Sequence, residues 1–393
     1  MPLRGLQVAV VGAGIAGLAV ARAMNLRGAN VTVFERASAV SEVGAGLQIS
    51  PNGLAALRAL NLSDDLAKVA TQAQAVQLCD YKKARPVLRL DLTQLPENQI
   101  YSFVLRAELI SILLRRAEAA GVVVQTDSPV DQIKPETGEI CINGQWHSFG
   151  LVIGADGLHS MTRKALNGTL APFFTRQVAW RALVSATGNP APQATVYMGP
   201  GRHIVTYPLR DMTMMNIVAV EERWDWADEG WSHEDDPDNL RAAFADFTPE
   251  IQELLSRVGH VNLWGLFRHP VANVWHGGRA VLLGDAAHPT LPFLAQGANM
   301  ALEDAWVLTD CLDKAGDLNA GLVQYQALRK PRVSRIVDAA TKNARNYHLR
   351  WPPVRWAAHS ALRLGGRIAP ALPLRKFDWL YGHDVTRQKV ADV

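Results

Sequence analysis

The chain has few cysteines. Among its 393 residues only Cys79, Cys141 and Cys311 occur, scattered and without a C-x-x-C pair. That argues against a zinc or iron–sulfur site, so no metal is expected, and it fits a reducing cytosol. There is also no apolar run approaching the roughly 18 to 20 residues of a membrane span, so no stable membrane insertion is expected. Met1 to Gln7 is too short and too polar for a signal peptide, and Val8 to Val11 reads better as a strand, which points to a cytoplasmic protein. Internal repeats and low-complexity linkers are lacking. A net charge of +3 is too small to imply nucleic-acid binding.

What remains is an ordinary globular composition, 48% hydrophobic and 20% charged, in a chain long enough for two domains. The first unit reads strand (Gln7 to Val11), helix (Ile15 to Arg27), strand (Asn30 to Phe34), the start of a βαβ fold. Gly44 to Asn52 reads as a glycine-rich loop before a helix from Gly53 to Leu60. Val76 to Leu92 alternates like strands, Arg106 to Ala120 reads as an amphipathic helix, and Val122 to Gln125 and Leu151 to Ile153 read as strands. From Val178 to Val220, β-branched residues and turns suggest an antiparallel sheet. Asn239 to Val258, Gly297 to Lys314 and Gly321 to Tyr347 read as helices, the last interrupted by Pro331.

Two glycine-rich turns carry the chemistry. Gly12-Ala13-Gly14-Ile15-Ala16-Gly17 follows the first strand and opens the first helix. There Gly12 permits the tight turn, Gly14 lets a pyrophosphate approach, and Gly17 lets the helix pack on the strand. The helix N-terminus offers its N–H groups to phosphates. Glu35, ending the second strand, is placed for ribose hydroxyls, and Arg36 for an adenine or a phosphate. NAD and FAD both fit to this point. Far downstream, the strand Arg279 to Leu283 ends in Gly284-Asp285, followed by a loop through Pro292, Gln296, Gly297, Ala298 and Asn299 into a helix. An NAD dehydrogenase does not need this second strand–loop–helix. A cofactor with a ribityl chain and a flat ring does: Asp285 suits ribityl or phosphate oxygens, and the helix start at Gly297 suits the polar edge of the ring.

With Gly154-Ala155-Asp156-Gly157-Leu158-His159-Ser160 and Arg163 between them, these motifs resemble the single-component (class A) FAD-dependent aromatic monooxygenases. The similarity is greatest to the salicylate hydroxylase-like branch, which includes 3-hydroxybenzoate and 6-hydroxynicotinate hydroxylases, and it spans roughly residues 6 to 345. The resemblance implies an α/β fold in which a Rossmann-like FAD-binding domain (1–73, 98–172, 274–345) is interleaved with an antiparallel-sheet substrate domain (74–97, 173–273), followed by a helical C-terminal segment (346–393). It implies FAD as cofactor and NADH or NADPH as transient reductant. A phenolic or hydroxylated heteroaromatic substrate would be hydroxylated with O2 through a flavin C4a-hydroperoxide. Arg106, Asp156, Val130 and Gln48 are carried over as cofactor contacts, beside Gly12, Gly14, Ile15, Ala16, Gly17, Glu35, Arg36, Asp285, Gly297, Ala298 and Asn299. The expected partners are the small aromatic substrate and O2, with a homodimer as candidate assembly. Ala295 stands where many members have glycine, a departure that bears on the local backbone.

Hydroxylation of a phenol is electrophilic, so a base that ionises the ring hydroxyl helps, and histidine suits that task near neutral pH. In the strand Arg202 to Pro208, His203, Val205 and Tyr207 share one face because side chains alternate. In the resembling branch a His and a Tyr at this spacing line the substrate site. Core packing in a sheet would use the same pattern. Gln48 stands where the hydroxynicotinate enzyme has a histidine, so the base falls to His203, with Gln48, Pro292 and Gln296 as further substrate contacts. Arg181 suits either an aromatic carboxylate or a structural ion pair. His288 is expected to order its loop, and Trp224, Trp226 and Trp231 to pack in a core. From Arg345 onwards the chain is basic: Arg345, Arg350, Arg355, Arg363, Arg367, Arg375, Lys376, Arg387 and Lys389 face only Asp378, Asp384 and Asp392. Trp351, Trp356 and Trp379 are expected to pack on the body, the alternative being a surface for anionic lipid or a partner. Two other readings stay open: an epoxidase or oxidase on the same scaffold acting on a quinone-like or isoprenoid substrate, or a non-hydroxylating membrane-associated flavoprotein.

Overall fold

The computed structural model describes residues 3–40, 45–169, 171–223 and 233–387. Gly44, Trp224, Trp226, Trp231, Lys389 and Asp392 lie outside the described residues. The strand Gln7–Val11 is apolar and buried along nearly its whole length, as a central parallel strand covered on both faces must be. It pairs in parallel with Asn30–Phe34 on one side and Leu151–Gly154 on the other. Val123–Gln125 extends one edge in parallel and Ala280–Leu282 the other, with His276–Gly277 closing the sheet antiparallel. Helices Ile15–Asn25, Gly297–Lys314 and Leu318–Tyr347 pack beside it around a shared apolar core.

A second sheet has eight strands, in the order Glu234–Asp235, Val261–Arg268, Phe173–Ser185, Met214–Glu222, Arg202–Leu209, Gln193–Gly199, Ala75–Asp80 and Pro86–Asp91. Alternation divides its faces. Trp180, Ala182, Ile204, Ile217 and Ala219 pack against Leu240, Phe244 and Ile251 of two short helices. His203, Val205 and Tyr207 face the other way. The sheet is not wholly antiparallel, because Gln193–Gly199 pairs in parallel with Ala75–Asp80.

Several expected elements differ. The stretch read as a loop holds a strand, Gly46–Ile49, paired antiparallel with Ser102–Leu105. Gly46 is there for close packing: a Cβ would lie 2.7 Å from the Tyr207 ring and 2.8 Å from Asn216. The helix after it starts at Pro51, which suits a first-turn position. Asn239 to Val258 is two helices, Pro237–Ala243 and Pro249–Ser256, because Pro249 starts a helix more readily than it continues one. Pro331, conversely, does not break Leu318–Tyr347. Arg329 and Arg332 on either side of it are bonded to Glu303, and that anchoring overrides the lost backbone bond. Residues 130–148 form a small antiparallel sheet that gives no strong pattern in sequence.

The C-terminal tryptophans are also placed differently. Pro352 and Pro353 open the helix Pro352–Ile368. Trp351 and Trp356 are 67% and 71% exposed, not packed on the body. Trp379 alone of the three is covered, with the Arg335 guanidinium 4.0 Å from its ring centre. Among the described residues no helix is long and apolar enough to cross a membrane. No group of three His, Cys, Asp or Glu among them could hold a metal ion.

Candidate active site

The first turn is built as its glycines require. Gly12 has φ +99°, and a Cβ there would meet the Ala155 carbonyl at 2.6 Å. A Cβ on Gly17 would lie 1.9 Å from the Gly12 carbonyl oxygen, so this glycine serves helix packing and lies off the cavity wall. Gly14 has open space before it. The helix behind it has no side-chain cap and no acid in its first turn. Its N–H groups and the positive end of its dipole are thus left for an anion, as a pyrophosphate needs. Glu35 already accepts from the Ala13 N–H (2.8 Å) and the Ala37 N–H (2.9 Å), which ties the end of the second strand to the turn.

The three motifs meet. Asp156 accepts from the Ser160 hydroxyl (2.5 Å) and from the Thr162 N–H (3.0 Å), which starts the helix Met161–Asn167. Burial pushes its carboxyl up despite those bonds. Arg163 is buried and donates to the Pro270 carbonyl at 2.6 Å and the Ala286 carbonyl at 3.4 Å, tying the middle motif to the third. Gly284, at φ +60°, approaches the first helix so closely that a Cβ would sit 2.9 Å from Ala16.

An ion cluster built on the fully buried Glu303, Asp304 and Arg329 holds the third motif. Asp304 accepts from the Gly284 N–H (3.0 Å), from Arg329 (2.6 Å) and from His288. Glu303 accepts from Arg329 (2.5 Å), Arg332 (2.7 Å) and Asn52 (2.7 Å). Burial alone would push the Glu303 carboxyl up, but the Arg329 and Arg332 guanidinia outweigh this and hold it at about 2. His288 thus orders its loop, as expected. Asn299 accepts from the Ser50 N–H (3.0 Å) and donates to the Gln48 and Ala295 carbonyls, a fully buried clip away from the cavity wall. Ala295 adopts a left-handed conformation (φ +52°), the one a glycine would take without strain. The helix Gly297–Lys314 also begins with no side-chain cap and no acid in its first turn.

A cavity of about 1920 Å³ runs from the first turn to the inner face of the eight-stranded sheet. Gly12, Gly14, Ile15, Ala16, Glu35 and Arg36 line one end. Val130, Asp156, Asp285, Gly297, Ala298 and Arg106 border it, and Gln48 lies beside Tyr207. Arg181, His203, Tyr207, Pro292 and Gln296 line the far end. Two uncapped helix starts border this cleft, and Gly284 packs between Ala16 of one and Ala301 of the other, which suits a cofactor with both a pyrophosphate and an electron-poor ring to hold.

At the far end Gln48 accepts from the Tyr101 hydroxyl (2.8 Å). Tyr207 packs on Phe103 at 4.9 Å, and burial raises its hydroxyl pKa despite hydrogen bonding with Asn216 and Gln48. Arg181 lies over the Trp264 ring at 4.6 Å. Its backbone sits in register with Val218 and, through it, Val205, two strand spacings (about 10 Å) away on the same face, and its guanidinium charge reaches the Tyr207 hydroxyl. His203 is 2% exposed and packs between Phe293 and Tyr347. Its Nδ1 is 2.7 Å from His348 Nε2, and His348 Nδ1 is 3.0 Å from Glu222. Burial, then the neighbouring His348, holds the His203 pKa well below the ordinary range. Sequence reading missed His348 and Glu222, since neither belongs to a motif and only the fold brings residues 145 positions apart together.

Comparison with known proteins agrees with this geometry. Residues 5–340 match the family described as FAD binding domain. The chain is 34% identical to 3-amino-4-hydroxybenzoate 2-monooxygenase PtmB3 of Streptomyces platensis, covering 96% of each chain. It is 30% identical to 3-hydroxybenzoate 6-hydroxylase of Polaromonas naphthalenivorans, covering 97% of this chain and 96% of the relative. Among solved structures, Klebsiella pneumoniae HpxO complexed with FAD and uric acid superposes with a TM-score of 0.81 at 26% identity, covering 94% of this chain and 96% of that one. A match over most of its length, on motifs that converge on one cleft, shows that the chain belongs to the FAD-binding-domain family of flavoproteins.

Proposed function

We propose that the protein is an NAD(P)H- and O2-dependent hydroxylase of a phenolic or hydroxylated heteroaromatic ring, with His203 as the base that ionises the ring hydroxyl. The carrying observation is a buried histidine and tyrosine on one sheet face, closing the end of a cleft that begins at a dinucleotide turn. Bound FAD, reduced by NAD(P)H and meeting O2, supplies an electrophilic oxygen atom. The protein's part is to hold the ring against that atom and to raise its electron density. His203 Nδ1 is engaged by His348, so Nε2 is the nitrogen left for a phenolic proton. Arg181 takes the carboxylate of an aromatic acid, and Gln48 and Tyr207 fix the ring's orientation. Apolar neighbours such as Phe293 and Leu291 exclude water from the reacting atoms.

The names of the relatives point to amino- and hydroxybenzoates as the first compounds to try. The test is a screen of such acids and of hydroxylated N-heterocycles for stimulated NADH oxidation, with the product identified. His203→Ala should keep FAD and slow hydroxylation by about 100-fold or more. Unchanged turnover would remove His203 from the role. The proposal includes a cytoplasmic location, supported by the buried free thiols of Cys79, Cys141 and Cys311. It also includes a homodimer, for which the exposed apolar side chains of Pro352–Ile368 offer a surface and sedimentation the test.

A further inference from the structure

The proton that His203 removes has to leave a closed pocket. His203 is 2% exposed and has aromatic rings on two sides, so an imidazolium held there would be a buried charge without a counter-ion in contact. The structure offers a route instead. His203 Nδ1 is 2.7 Å from His348 Nε2, and the two rings are 4.9 Å apart. His348, whose side chain is 1% exposed, has Nδ1 3.0 Å from Glu222 Oε1. Glu222 is 30% exposed at the side chain and reaches water. The three groups come from three places: the strand Arg202–Leu209, the residue after the long helix, and the end of the strand Met214–Glu222.

We propose that His348 and Glu222 form a proton relay with His203, carrying the phenolic proton from the cavity to solvent. This rests on the hydroxylase reading above. The carboxylate sets the direction. Glu222 accepts from His348 Nδ1–H, which leaves His348 Nε2 as an acceptor, which in turn makes His203 Nδ1 the donor and His203 Nε2 the base. When the substrate hydroxyl gives its proton to His203 Nε2, the Nδ1 proton passes to His348 Nε2. The His348 Nδ1 proton passes to Glu222, and Glu222 releases it to water. One O–H bond breaks in the substrate and one forms in solvent, and neither ring ends charged. Reverse transfer along the same groups returns a proton to the product oxygen.

The surroundings are compatible. Arg350 donates to the other Glu222 oxygen at 2.6 Å and keeps the carboxylate ionised. His348 and Arg350 both hold the Glu222 pKa below its ordinary value. Gln177 lies 3.4 Å from His348 Nδ1, farther than Glu222, so the carboxylate determines the tautomer. Other charged groups on the packed elements are engaged elsewhere: Arg202 with Asp246, Arg223 with Glu221, and Arg181 over Trp264. Tyr347 beside His203 has its hydroxyl pKa raised by burial to about 12, so it remains neutral.

The test uses the FAD-loaded enzyme and has two readouts. Ring-nitrogen NMR of histidine-labelled protein at neutral pH should show His203 and His348 both neutral and both protonated at Nδ1. A proton on His203 Nε2, or on His348 Nε2, would reverse the polarity and overturn the relay whether or not a substrate is known. With a turned-over phenol, His348→Gln and Glu222→Gln should each lower kcat about tenfold at pH 6–7 with KM within twofold. The loss should shrink as pH rises towards the phenol's own pKa, and the double variant should be no slower than His348→Gln. Wild-type kcat and an unchanged pH profile in both variants would overturn it. Failure of the wild type to hydroxylate any phenol would instead sink the hydroxylase reading, with the tautomers still deciding the relay.

Discussion

Replacing Arg329 by Met probes how the third motif is held. Arg329, Glu303 and Asp304 are all 0% exposed. The change removes three donated bonds, to Asp304 (2.6 Å), Glu303 (2.5 Å) and the Met300 carbonyl (3.2 Å). It leaves two buried carboxylates with only Arg332, Asn52, His288 and the Gly284 N–H. Removing one partner of a buried ion pair costs about 3–5 kcal/mol. The Arg329 guanidinium, with Arg332 beside it, also holds the buried Glu303 carboxyl below its ordinary range, so losing Arg329 raises that carboxyl's pKa. Because the wild-type folded pKa is depressed, the stability this carboxyl contributes is present above pH 4.5 and is lost as pH falls from 4.5 towards about 2. At roughly 2 °C per kcal/mol for a large domain, thermal unfolding of the FAD-loaded protein at pH 7 should drop by about 6–10 °C. The acid dependence between pH 4.5 and 3 should flatten. Since Asp304 also fixes the Gly284 turn, FAD retention should weaken in parallel. A melting change under 2 °C with an unaltered acid limb would refute the reasoning.

Other outcomes follow from the same geometry. Gly17→Ala forces a Cβ to within 1.9 Å of backbone oxygen at the first turn, so the purified protein should lose its yellow colour, read as the FAD-to-protein ratio. Gly46→Ala pushes on the Tyr207 and Asn216 side chains, which can yield. It should cost about 1–3 kcal/mol by overpacking and raise KM for the aromatic substrate.

The glycine turns and the first βαβ unit were legible because each rests on local rules: a buried strand, glycines where backbone passes backbone, a helix start left free for an anion. The face shared by His203, Val205 and Tyr207 followed from alternation alone. What sequence could not show depends on tertiary placement. Pro331 looked like a break because the Arg329 and Arg332 anchors to Glu303 are invisible without the fold. Gly46 read as loop glycine because its real reason, the Tyr207 ring, lies 161 positions away. Trp351 and Trp356 read as core because tryptophan usually is, and the structure exposes both. His348 and Glu222 carry no signature at all, yet they stand in hydrogen-bonding line behind the residue expected to act as base.

The most direct test of the central claim is to follow the oxygen atom. With ¹⁸O2, NADH and the phenol that best stimulates NADH oxidation, wild-type protein should yield a ring-hydroxylated product carrying one ¹⁸O per NADH consumed. His203→Ala should bind FAD and consume NADH while forming little such product. Wild-type NADH oxidation that yields only hydrogen peroxide with every aromatic tried, or full labelled product from His203→Ala, would contradict the account.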